Sequence, residues 1–409
     1  MAGIGHPKTP PRLKTGRGCG RLAAMQNRRR PSPALLLLPA PAAALLAAGC
    51  PLGPLYPFDR WRPPPAFGEP VPLISDAQKG YLDLPAAERR EKFRDPEFRA
   101  EMKALGDKPL RVARPAPAIA GATMREWKLR LYGANEGIAS GIVSNGVAEL
   151  SNLMVGTRYV LLFQTKPNAD AVVREETPFA TEDRAPRLID VPGIPNARDF
   201  GGWRGLGGHR IRQGLVIRSA GLNENATPKD NPDTPGATRV TDATRAVLIG
   251  QLGVKTDIDL RWDREVFGMT GSPLGPEVRW VRCPWSLYQW VAGDEEKAMF
   301  AKILRLLLDR ENLPAIVHCI EGQDRTGTLC FLLQGLLGVS DEDKLRDWEC
   351  TGFANAHWGF RHESRLDPFL KYLATLPGET VNDRCVSYAR SCGVTDAEIA
   401  RWRELMLEP

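Results

Sequence analysis

Five residues separate Cys319 from Arg325 in LPAIVHCIEGQDRTGTLCFLLQG, residues 313–335, with Gly322 among them and Thr326 and Gly327 directly after. An apolar run, PAIVHC, leads into this segment and a longer one leaves it, so the pattern predicts a strand, a tight turn and a helix beginning near Thr326. A helix start carries unpaired N–H groups and the positive end of the helix dipole, which makes such a turn a bowl for an anion. Gly322 and Gly327 permit the turn and the close approach of the backbone. The Arg325 guanidinium presents a planar fork that matches two phosphate oxygens. Cys319 would lie on the floor of the bowl, where positive surroundings favour the thiolate, and a thiolate facing phosphorus is a nucleophile for phosphoryl transfer. Of the eight cysteines only Cys319 has an arginine six residues on. A Walker A loop is excluded, because no Gly-Lys-Ser/Thr follows the glycine.

Expelling an alkoxide or phenoxide also needs a proton donor beside the leaving oxygen. Asp324 adjoins Arg325 on the rim of the predicted loop, whereas RCPWSLYQWVAG, residues 282–293, brings no acid until Asp294. Asp324 is therefore the expected general acid, with bracing of the loop or pairing with Arg325 as the competing structural reading. Trp285, Tyr288 and Trp290 in that second segment suit either an aromatic wall for a phosphotyrosine ring or core packing.

HCIEGQDRTG resembles the phosphate-binding loop of cysteine-dependent phosphatases, CxxxxxR[ST], and is most similar to that of a bacterial tyrosine phosphatase family whose loop reads HCxxGxDRTG. PNARDFGGW at 195–203 is similar to the same family's NxRDxGG, and GLVIRSAGL and DIDLRWDRE follow in order as its RSxxL and IDLRxxxE segments. The resemblance covers about residues 190–360 and implies a central parallel sheet, a phosphocysteine intermediate, and neither metal nor other cofactor. By matching positions it implies that Cys319 attacks phosphorus, that Arg325 and the backbone of Ile320, Glu321, Gly322 and Gln323 hold the equatorial oxygens, and that the Thr326 hydroxyl bonds the sulfur. His318 would orient the cysteine through backbone contacts. Asn196, Arg198 and Asp199 would fix the loop beside the pocket, with Asp259 and Arg261 as structural partners. Where several relatives carry lysine this chain has Gln323, and Glu321 adds a negative charge, so a multiply phosphorylated inositol substrate is disfavoured. The expected substrate is a phosphorylated protein or a small phosphomonoester, hydrolysed by a protein-tyrosine or dual-specificity phosphatase. The rival readings are an inositol phosphate or phosphoinositide phosphatase, and an inactive phosphate-binding module displayed on the envelope.

The elements that must position these residues begin near 185, where strands and helices alternate. VKTDIDLR and PAIVHC read as buried strands; TDATRAVLIGQLG, EEKAMFAKILRLLLDR and TGTLCFLLQGLLG carry helical periodicity, and Thr395 with Glu398 forms a capping box before the last helix. The expected class is α/β, a phosphatase domain at 185–409 with a central, mainly parallel sheet flanked by helices. Ahead of it, 83–184 combines a mixed-charge helical patch, AERREKFRDPEFRAEMK, read as a solvated face, with a small β-sandwich-like segment. In that segment AELSNLMVGTRYVLLFQT resembles the fibronectin type III pattern, with Tyr159 as a tyrosine corner.

With 43% hydrophobic and 25% charged residues the 409-residue chain has globular composition and room for about two domains. Its net charge of +6 comes from the start: residues 1–49 hold eight Lys and Arg and no acid, so 47 basic side chains stand against 49 acidic ones in the rest. No basic stripe for nucleic acid is present. From Met25 the chain reads MQNRRRPSPALLLLPAPAAALLAAGC, a secretory-signal pattern whose end, Ala47-Ala48-Gly49-Cys50, resembles a lipobox. Residues 1–24 then read as an upstream extension, 1–49 as extension and signal, and 50–82 as a Pro-rich tether. Cys50 is the expected lipidation site, which would make the protein an exported, membrane-anchored lipoprotein of the bacterial envelope; a plain cleaved signal is the alternative. Cys283, Cys330, Cys350, Cys385 and Cys392 cannot all pair, and Cys385 with Cys392 could be a bridge or two core thiols. His357 and His362 lack ligand spacing, and no metal site is expected.

Overall fold

A computed structural model describes residues 65–409 apart from 122, 166–172, 226–235 and 355–361. The signal, Cys50 and most of the tether lie outside the described residues. Helices α1 (Asp76–Asp83), α2 (Ala86–Lys92) and α3 (Pro96–Leu105) come first. Strands β1 (Val112–Pro115), β2 (Glu126–Leu131), β3 (Gly137–Ile142), β4 (Val147–Leu150), β5 (Arg158–Gln164) and β6 (Arg174–Ala180) follow. The α/β part then runs β7 (Arg198–Asp199), β8 (Val216–Ser219), α4 (Asp242–Arg245), β9 (Thr256–Asp259), β10 (Arg279–Arg282), α5 (Asp294–Leu308), β11 (Ala315–His318), α6 (Asp324–Leu336), α7 (Asp341–Glu349), α8 (Thr351–Ala354), α9 (His362–Ala374), α10 (Val381–Ser391) and α11 (Asp396–Met406).

The central sheet has the order β10-β9-β11-β8-β7. Its first four strands are parallel and the short edge strand β7 runs antiparallel to β8. Each inner strand is buried on both faces, in keeping with the reading of VKTDIDLR and PAIVHC as buried strands; in β9 the buried residues include Thr256, Asp257 and Asp259. The pleat still divides them: Ala315 and Val317 join the large core with Val216 and Ile258, while Ile316 turns to the other core with Ile217. Helix α6 is apolar around its circumference and buried from Arg325 to Leu336, so it fills the centre of the helical layer. Gly335 lets α10 come close, since a Cβ there would fall 2.5 Å from the Cys385 sulfur. Cys385 and Cys392 are both free thiols, and burial pushes the Cys385 thiol up to about 12.

The smaller β part holds an antiparallel sheet of order β3-β2-β5-β6 and a two-stranded β1-β4 sheet around Leu129, Leu150, Leu161, Phe163 and Phe179. Met154 N–H donates to the Tyr159 hydroxyl at 2.8 Å, fixing the approach to β5. The mixed-charge patch differs from its sequence reading. Arg89 is fully buried and donates to Glu349 and Glu342, while Tyr81, Phe93 and Met102 pack with Cys350 and Phe353 beside α7 and α8. Two helices, not one, divide the segment, because Asp95 caps α3 and Pro96 opens it; the apolar residues thereby share one face that charge alternation had hidden.

Candidate active site

β11 ends at His318, paired with Ser219 of β8 on one side and Asp259 of β9 on the other, so Cys319 emerges at the carboxyl ends of three parallel strands. In open α/β sheets this is where ligand crevices form. The segment from Cys319 to Gln323 curves back into α6, whose first turn contains Asp324, Arg325 and Thr326. Gly322 makes the curve possible: its φ is +68°, and a Cβ would meet the Ser219 carbonyl oxygen at 2.2 Å.

Three successive loop carbonyls are each held by a donor. Gly221 N–H reaches Ile320 O at 2.9 Å, Asn196 Nδ2 reaches Glu321 O at 2.7 Å, and Arg218 Nη2 reaches Gly322 O at 2.8 Å. In a trans peptide the N–H points opposite to the carbonyl. Pinning these oxygens therefore turns the N–H groups of Glu321, Gly322 and Gln323 to the opposite side of the loop, together.

The donors are themselves fixed. Arg198 and Arg218 are fully buried and share one carboxylate: Arg198 Nε lies 2.9 Å from Asp347 Oδ1 and Arg218 Nη1 lies 2.5 Å from Asp347 Oδ2. Burial works against the Asp347 carboxylate, yet the two guanidiniums hold its pKa below the ordinary value. Two cations against one anion leave a positive charge behind the loop. Asn196 adopts a left-handed φ of +59°, and Arg198 Nη1 donates to its Oδ1, which orients the amide with Nδ2 toward Glu321. Asp199 accepts from Arg187 Nη1 at 2.7 Å, Gly201 N–H at 2.8 Å and Gly214 N–H at 2.6 Å, a fully occupied brace.

Arg325 is aimed by Glu265, which accepts from Nη1 at 2.6 Å and Nη2 at 3.1 Å, and by the Trp262 ring 4.6 Å beneath the guanidinium. Glu265 and Trp262 had no assigned role in the sequence reading, although Glu265 closes the IDLRxxxE pattern. End-on pairing through Nη1 and Nη2 leaves the Nε edge of the fork facing away from Glu265. His318 bonds Asp257 Oδ1 through Nε2 at 2.8 Å, and its Nδ1 lies 3.2 Å from the Cys319 carbonyl oxygen. Asp259 pairs with Arg261, both buried; although burial opposes it, His318 and Arg261 draw the Asp259 carboxyl down to about 2.

Asp324 receives a hydrogen bond from the Tyr288 hydroxyl at 2.5 Å. Tyr288 holds a strained φ of +54°, with its N–H on Thr328 Oγ1 at 3.2 Å. It is buried and serves Asp324, and Trp285 is buried with its indole N–H on Glu296 O at 3.0 Å; only Trp290, 66% exposed, is open to solvent. The aromatic-wall reading thus fails for Trp285 and Tyr288, whose packing against α5 and α6 takes them inside. Asp294 is fully exposed at the start of α5 beside Lys297. The expected contact from Thr326 to the cysteine sulfur is not made: Thr326 Oγ1 is buried in the first turn of α6 and has no hydrogen-bond partner among the described residues. Gln323 is buried.

At the carboxyl ends of these parallel strands one turn brings together a buried thiol, three held loop carbonyls and a braced arginine. The sequence model of the tyrosine phosphatase family matches residues 189–408, and the chain belongs to that family. A Cupriavidus necator protein whose name places it among tyrosine-protein phosphatases is 26% identical over 217 residues, covering 47% of this chain and 72% of that protein. A tyrosine-protein phosphatase of Nostoc commune is 28% identical over 149 residues, 31% of this chain and 50% of the relative.

Proposed function

We propose that the chain is a protein-tyrosine or dual-specificity phosphatase that hydrolyses phosphomonoesters through a phosphocysteine. The observation that carries this reading is the set of three pinned carbonyls at Ile320, Glu321 and Gly322, which aligns the loop amides as an oxyanion cradle. The Cys319 thiolate attacks phosphorus, forming the S–P bond as the ester P–O bond breaks, and the Asp324 carboxylic acid gives its proton to the departing oxygen. Water then attacks the phosphocysteine, Asp324 takes a proton from it, and the S–P bond breaks to release phosphate and restore the thiolate. Arg325 and the loop amides balance the charge on the equatorial oxygens throughout. No step requires a cofactor.

Release of phosphate from a chromogenic aryl phosphate tests this directly. Wild type should turn over, Cys319→Ser should not, and chelator should change neither. An inactive wild type that still binds phosphate would make the chain a binding module. For localisation we propose anchoring through a lipidated Cys50, supported by the signal-like run before it. Cys50→Ser should block processing or move the protein from the membrane fraction to the soluble one; soluble wild type would remove the anchor.

A further inference from the structure

The phosphate loop is braced from a part of the chain that the family match, residues 189–408, does not include. Asp107 follows the C-terminal Gly106 of α3 and is buried. Its carboxylate accepts the backbone N–H of Asn196, the residue whose side-chain amide holds Glu321 O at 2.7 Å. The neighbouring Lys108 Nζ donates to Val191 O at 3.1 Å and Ile194 O at 3.3 Å, so two consecutive residues grip the turn that carries Asn196. This grip is itself anchored: Gln78 Nε2 of α1 donates to Gly106 O at 3.1 Å, and Leu110 N–H donates to Leu73 O at 2.9 Å. The chain Asp107, Asn196, Glu321 carbonyl is therefore continuous from the helical patch to the bowl.

We propose that Asp107 is a positioning residue for the phosphate-binding loop, acting through Asn196 to set the peptide between Glu321 and Gly322. The proposal rests on the phosphatase reading for its catalytic consequence, but not for its effect on anion binding. A left-handed asparagine is strained unless its surroundings hold it, and a buried charge-assisted hydrogen bond to its N–H is such a hold. Once that bond is lost, the Asn196 turn relaxes, the Glu321 carbonyl loses its donor geometry and the N–H of Gly322 swings from its aim. Loss of one oxyanion donor costs about 10²- to 10³-fold in rate, so a misaimed one should cost about tenfold or more.

The test uses the full chain and two readouts at 25 °C, kcat/KM on an aryl phosphate and competitive inhibition by orthovanadate, with calorimetric binding of inorganic phosphate alongside. Asp107→Ala should lower kcat/KM about tenfold and weaken both anions by a similar factor. Asp107→Asn, which keeps an acceptor oxygen at the same place, should restore most of the loss. If the relay runs through Asn196, Asp107→Ala should add little in an Asn196→Ala background. Should the alanine variant not be recovered folded, Asp107→Ser takes its place with the same ordering expected. Wild-type rates and anion affinities in Asp107→Ala, with only a lowered melting temperature, would overturn the proposal. So would full additivity with Asn196→Ala. Absence of turnover in wild type would instead sink the phosphatase reading, and phosphate binding would still decide the role of Asp107.

Discussion

Two side chains at the site can be tested by what each does to a proton. A general acid contributes about 10²- to 10⁴-fold, and only where the leaving group needs it. Asp324→Asn should therefore slow esters of weakly acidic alcohols severely and esters of acidic phenols little, while Asp294→Asn, altering a fully exposed residue, should do neither. An equal loss on both ester types would move the acid role elsewhere. His318 gives a different signature. Burial disfavours its charge, but Asp257 and Asp259 together raise its pKa above the ordinary value. The stability it contributes is thus complete below about pH 6.5 and is lost as pH rises through the raised folded value. Thermal melts should show wild type falling relative to His318→Gln over that rise; parallel curves would remove the linkage.

For the elements, the turn from β11 to α6 depends on one residue having no side chain. In Gly322→Ala the new methyl would press on the Ser219 carbonyl and the backbone would have to leave its φ of +68°. Activity should fall by two orders of magnitude or more, in line with the loss of an oxyanion donor, because the loop amides lose their common direction. Near-wild-type turnover by this variant would show that the carbonyl pinning is dispensable. This region was also the most legible in sequence. The apolar run to His318, the glycine and the helical periodicity after Thr326 give strand, turn and helix from local pattern alone, the helix starting two residues earlier at Asp324, and the capping box at Thr395 and Glu398 formed as read. What lay beyond reading was whatever holds the loop from outside. Asp347 and Asp107 sit in ordinary charged stretches, and nothing in DKLRDWE or LGDKPL distinguishes a carboxylate that will be buried between arginines or under an asparagine from a solvated one. Glu265 was within reach, since its pattern had been recognised, but its bond to Arg325 required two strand ends to meet. For Tyr288 the sequence leaves lining and packing open, because an aromatic beside a predicted pocket is equally apt for either, and the structure takes it inside.

At the scale of the molecule, the smaller β part and the α/β part share polar stitching. Arg187 donates to Asn152 O at 2.7 Å and Leu153 O at 3.2 Å on one side and to Asp199 on the other, while Asn152 takes the N–H of Asp190 at 2.7 Å. The helical patch is tied in as well, Arg89 reaching across 260 residues to Glu349. Neither attachment is an isolated appendage to the bowl.

The shared carboxylate of Asp347 also has a consequence in time. Arg198 and Arg218 meet it across 149 and 129 residues, so the brace behind the loop closes only after distant parts of the chain have found each other. Contacts of such long separation form late, since the entropy of closing the chain must be overcome before they add anything. Helices α6 and α11, by contrast, are local. On dilution from denaturant the far-ultraviolet circular dichroism should recover first and aryl phosphatase activity later, with a measurable lag. Simultaneous recovery would mean that the bowl belongs to the folding nucleus; with the lag, a newly made chain passes through a compact, helical and catalytically silent stage in which Cys319 is present but its cradle is not.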